Sequence, residues 1–165
     1  MTSLLPLLRL FSLVAAATTP VASTVDLPKI IECRGDMADF FDLGRKMGPD
    51  LSGAPLGWKR IEQSNPLITE FEVPRPIKVF GRSTKRIAAT GSGLLAILSG
   101  ATQEALGAEL RLKPVTVTPS QSILARIVTQ TADDVATTTI RLNVSKLVTH
   151  PGKVFAGCEY RVDVK

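Results

Sequence analysis

Histidine, tyrosine and tryptophan occur once each in this chain, cysteine twice, and aromatic residues fill only 5 % of its 165 positions. Each shortage removes a class of chemistry. General-base and metal chemistry near neutral pH favour imidazole, so a hydrolytic mechanism has to run through His150 or rely on carboxylates alone. Neither cysteine belongs to a CxxC pair, which argues against a redox role. The few aromatics read as core, leaving no reading element of the kind a nucleic-acid-binding face uses. No apolar run reaches the roughly 20 residues that cross a bilayer. The nearest approach to a nucleophile elbow, Thr90-Gly91-Ser92-Gly93, has threonine where the first glycine belongs, and no lysine follows to make it a phosphate loop. No catalytic residue, metal site or cofactor is assigned.

What is present begins with a leader. Arg9, the apolar stretch Leu10–Ala17, Pro20 and the small residues Val21-Ala22-Ser23 have the order of a secretory signal peptide, with cleavage expected after Ser23. Residues 1–23 are therefore read as a signal peptide and 24–165 as one periplasmic or secreted domain, with no integral membrane segment once the leader is gone. Export gives the cysteines meaning. In an oxidising compartment Cys33 and Cys158 have one available connectivity, a bridge tying the first elements to the last.

About 140 residues remain, enough for a single core. Loss of Arg9 lowers the formal charge from +5 to +4. The densest basic group is Lys78, Arg82, Lys85 and Arg86, and these residues with Trp58 form the candidate partner-binding surface. Its expected partner is a protein or an anionic envelope polymer, not nucleic acid. Trp58 is an anchor if exposed and core if buried.

Along the chain, Val25–Cys33 reads as extended and broken by Pro28. Asp36 caps a helix in which Met37, Phe40, Phe41, Gly44 and Met47 recur at helical spacing. A period of two follows from Trp58: Leu67, Thr69, Phe71 and Val73 share a face, with Glu70 and Glu72 pointing away. Pro74 and Pro76 lead into a second short strand ending at a hairpin around Gly81. Gly93–Leu98 is a strand buried on both faces, Thr102 caps a second helix that Gly107 weakens, and strands make up the rest. The clearest alternation is the last, with Val154, Ala156, Cys158, Tyr160, Val162 and Val164 on one face. The expected fold class is α+β: a single domain with an antiparallel sheet or small β-sandwich, two short helices and one disulfide.

His150 sits in Thr149-His150-Pro151-Gly152 and is expected in a solvent-exposed turn. The pairs Asp36/Asp39 and Glu70/Glu72 are expected to be a helix start and a solvated strand face. Asp133-Asp134 is expected at a hairpin tip, with too few oxygens around it for calcium. The segments Thr149–Lys153, Gly157–Tyr160 and Ala88–Gly93 together resemble small secreted proteins of Gram-negative bacteria to which no function is assigned. That resemblance implies bacterial export and one compact domain, and carries no site residues. The expected function is a non-enzymatic binding protein of the periplasm or exterior: an inhibitor, immunity or envelope accessory factor acting through protein–protein contact. Two alternatives stand beside it. One is an envelope or extracellular hydrolase using His150 or a carboxylate pair. The other is a carrier of a small apolar ligand, which requires a cavity of a few hundred Å³ between sheet and helices.

Overall fold

The computed structural model describes residues 25–62 and 65–165. The expected leader, with its cleavage point, lies outside the described residues. The elements in chain order are α1 (Leu27–Ile31), α2 (Met37–Lys46), a 3₁₀ turn (Ala54–Leu56), β1 (Lys59–Ile61), β2 (Thr69–Val79), β3 (Arg82–Ala89) and β4 (Gly93–Ser99). They continue with α3 (Gln103–Glu109), β5 (Lys113–Val117), β6 (Gln121–Ala132), β7 (Ala136–Leu147) and β8 (Lys153–Val164). All strands pair antiparallel in one eight-stranded sheet of order β1-β2-β3-β4-β8-β7-β6-β5. Of the two architectures expected, the single sheet is the one formed. It consists of two four-stranded meanders joined at a β4–β8 seam, each preceded by helix.

The seam explains a glycine. Leu95 stands opposite Gly157, and a Cβ there would lie 2.6 Å from the Leu95 Cα and collide with the Leu94 carbonyl. Only a residue without a side chain lets the strands meet.

Helix starts follow local chemistry. Asp36 and Asp39 form a reciprocal capping box on α2, and the Thr102 hydroxyl accepts from the Ala105 N–H on α3. The expectation of an extended Val25–Cys33 is corrected, for this segment contains α1. Asp26 accepts from Lys29 N at 2.9 Å, and Pro28 lies in the first turn, where an N–H has no intrahelical partner to lose. There are accordingly three α-helices among the described residues rather than two. Cys33 takes φ 56°, and the Arg34 and Cys33 N–H groups return to the Lys29 and Ile30 carbonyls, a Schellman ending that turns the chain toward the sheet.

The main core lies between the helices and one face of the sheet. It contains Ile31, Leu43, Phe71, Leu94, Leu106, Leu142 and Val144, with Val154, Ala156, Cys158 and Tyr160 from β8. The Cys33–Cys158 disulfide closes it, with Cα atoms 5.2 Å apart across a sequence separation of 125. This bond agrees with the pairing expected from the sequence. Tyr160 stacks on Phe40 and donates to the Ile30 carbonyl at 2.8 Å, and burial holds its phenol above the ordinary tyrosine range. Trp58 is 8 % exposed and packs on Phe71, so it is core and no surface anchor. Pro74 and Pro76 do not divide β2; they fall where its pairing with β3 slips register, between Glu72 and Ile77. The hairpin that follows is a two-residue turn of Phe80 and Gly81, both at positive φ, the twist that suits a tight antiparallel connection.

Candidate functional site

The face of the sheet turned away from the helices has its own small core of Ile68, Ala88, Leu95, Ile97 and Phe155. Over it lies the turn that joins β7 to β8. This turn reaches back across β8, β4 and β3 to Glu70 of β2, which brings three charged or titratable side chains together. Glu70 is 1 % exposed and accepts from Arg86 Nη2 through one oxygen, while its other oxygen lies 2.6 Å from His150 Nε2. A carboxylate only accepts, so Nε2 carries the proton, and Nδ1 of a neutral ring then accepts from the Thr149 hydroxyl at 2.8 Å. Phe155 meets the imidazole edge-on at 5.1 Å between ring centroids.

Two sequence expectations fall here. His150, expected to be exposed in its turn, has a side chain only 14 % exposed. Glu70, expected to be solvated beside Glu72, is buried by the turn folding over it, while Glu72 stays exposed. Alternation along β2 correctly places both on the face opposite Phe71; it has no means of reporting a cover arriving from 80 residues away.

Beside this cluster opens a chamber of about 410 Å³, floored by Leu95, Phe155 and Asn143 and walled by Thr90, Ser92, Gln121 and Thr149. Its ionisable lining residues, Arg141 and Glu159, pair with each other at 2.8 Å, and Ser92 Oγ donates to Glu159 at 3.3 Å.

A second groove, of about 440 Å³, lies between α2 and the ends of β2, β3 and β4. Phe40, Leu43, Met47, Phe71 and Leu94 line it, and among the described residues it has no ionisable side chain in its lining. Three large apolar side chains stand on its rim, Phe41 at 54 %, Leu51 at 56 % and Leu67 at 80 % exposure. Leu67 was expected to share the core face of β2; it precedes the strand and projects instead. Gly44 and Gly91 line it and face open space, since a Cβ on either would meet nothing within 4 Å. This groove was not singled out by sequence reasoning. The available signal was Gly44 inside an otherwise apolar helix stripe, where glycine costs about 1 kcal/mol against alanine.

The basic residues expected to form one surface are dispersed in their engagements. Arg82 binds Glu109 of α3 at 2.8 Å and the Phe80 carbonyl, Arg86 binds Glu70, and Lys78 and Lys85 are exposed. Arg86 Nε is buried with no hydrogen-bond partner among the described residues. Among those residues there is no cluster of three metal-ligating side chains, and no helix is long and apolar enough to cross a membrane.

Compared with known proteins, the chain matches no family model, no curated protein and no solved structure.

Proposed function

We propose that this chain is a non-enzymatic binding protein of the periplasm or the extracellular space, and that it holds a small apolar ligand between α2 and the sheet. The observation that carries this reading is the uncharged groove with three projecting apolar side chains on its rim. Burying such surface is favourable wherever a matching ligand is offered, and pockets that are largely apolar are where small molecules bind. The Cys33–Cys158 bond supports the compartment, since such bonds persist where thiols are oxidised. A protein or anionic-polymer partner at the basic residues has less support, because Trp58 is core and Arg82 and Arg86 are already paired.

The test is titration with an uncharged naphthylamine dye whose emission rises in apolar surroundings. Saturable enhancement is expected with the wild type and with Gly44→Ala, and its loss with Gly44→Phe, which fills the groove. Circular dichroism checks that the filled variant still folds. Equal enhancement in Gly44→Phe, or none in the wild type, would falsify this reading.

A second reading rests on the alignment of Glu70, His150 and Thr149, an acid, an imidazole and a hydroxyl in hydrogen-bonded sequence at the chamber wall. That order is the one acyl transfer uses to activate a nucleophile. It supports the hydrolase alternative. Turnover of a simple activated ester that disappears in Thr149→Ala and in His150→Gln is the expected result on this reading, and the same rate in all three proteins removes it.

A further inference from the structure

We propose that the ligand is a single-chain amphiphile with an uncharged, hydroxyl-rich head, its tail in the α2 groove and its head in the chamber on the opposite face. This rests on the reading of the groove as a ligand site and extends it. The two cavities adjoin, since Leu67, Thr90 and Gly93 line both. Across that shared rim the chemistry changes abruptly. Among the described residues the groove offers no ionisable side chain, and its only polar ones are Thr69 and Thr90. The chamber offers hydroxyls and amides from Ser92, Ser120, Gln121, Asn143 and Ser145 beside the apolar Leu95 and Phe155.

The head is assigned as uncharged because the chamber has no spare charge to receive another. Arg141 and Glu159, its ionisable lining residues, neutralise each other, and Ser92 also donates to Glu159. A carboxylate or ammonium head would be desolvated beside an already satisfied pair, which is unfavourable, whereas hydroxyls can exchange water for hydroxyl and amide partners. Space for the head is the chamber's own volume of about 410 Å³. A hydrocarbon alone would bind weakly after the entropy lost on association, and contacts to a head are what raise affinity.

Displacement of the bound dye by four decyl compounds, each below its micellar concentration, tests this: decyl glucoside, decanol, decanoate and decyltrimethylammonium. The glucoside is expected to displace dye at about tenfold lower concentration than the others, the yield of one or two net hydrogen bonds. Asn143→Leu and Gln121→Leu, both in the chamber and outside the groove, are expected to reduce that advantage while dye affinity stays unchanged, which also shows that the variants fold. Equal potency of decanol and the glucoside overturns the proposal, as does a lead for decanoate or for the ammonium compound. Failure of all four to displace a dye that Gly44→Phe excludes also overturns it and leaves the groove reading standing. Absence of groove-dependent dye binding instead sinks the groove reading itself.

Discussion

The two meanders share one connectivity and differ in what covers them. In the first, β4 is buried along six of its seven residues, and α1 and α2 lie over the strands. In the second, β6, β7 and β8 each run 12 residues, yet α3 has only seven. Beyond the reach of α3 the strands continue bare, leaving Val162 and Val164 of β8 at 45 % and 77 % exposure. Connectivity therefore does not set burial; helix cover does. The longer cover of the first half also stands slightly off the sheet, and the groove is the gap that results. The shorter cover of the second half is clamped tight. Gln103 donates to the Ser122 and Val144 carbonyls, and a Cβ on Gly107 would collide with Leu124 Cδ1.

Substitutions that separate the halves are the strongest way to break this comparison. The disulfide joins the end of α1 to β8, so Cys33→Ser is expected to destabilise the domain by about 2–5 kcal/mol. Urea unfolding measures it, and a reductant is expected to lower the wild-type midpoint and leave the variant unchanged. The second tie is polar. Glu70 belongs to the first meander and His150 to the second, and Glu70→Ala removes the buried carboxylate and leaves Arg86 and His150 without their partner at about 2–3 kcal/mol, while Glu72→Ala on the exposed neighbour is near neutral. Equal effects at the two positions would show that the turn does not hold its place over β2 in solution.

The helical glycines sharpen the contrast, because the same substitution is expected to act with opposite sign. Gly107→Ala, forced against Leu124, is expected to destabilise by about 1–3 kcal/mol, with Leu124→Ala in the same chain relieving the clash. Gly44→Ala, with nothing near its new methyl group, is expected to stabilise by about 0.5–1 kcal/mol through helix propensity. Thermal melts of the two variants read both signs.

The smallest effect is electrostatic and belongs to the first half alone. The hydrogen bond from Lys29, then that from the Asp36 N–H, holds the Asp39 carboxyl below the usual aspartate range. A depressed folded-state value stabilises above the ordinary aspartate pKa, and the benefit is lost as pH falls through the lowered one. Asp39→Asn is thus expected to flatten the stability profile slightly below about pH 4 and to leave its alkaline side, where Lys29 titrates from a raised value, shifted a little downward.

Much of the scaffold was legible because it is encoded locally. The caps at Asp36 and Thr102, the alternation of β8 and the buried run of β4 depend on residues a few positions apart, and they appear where the pattern places them. Pro28 misled because the same residue that breaks a helix interior is tolerated in a first turn. Most of the candidate site was illegible for a different reason. Phe155 interrupts the polar side of β8, and Glu70 and His150 carry no local mark of burial. All three are explained only when β8 takes the centre of the sheet and its turn folds over β2. Strand order is a property of the whole chain, and no short window contains it.

That central place has a consequence for how the molecule comes into being. A chain is synthesised from its N-terminus, and here a central strand of the finished sheet is made after the other seven. Until those twelve residues emerge, β4 and β7 each present an open edge, the two meanders have no common border, and Cys33 waits without its mate. Before β8 emerges the sheet is two unfinished halves, exposed to wrong pairing along those edges. The last of the eight strands joins the sheet, completes the core and makes the covalent lock possible.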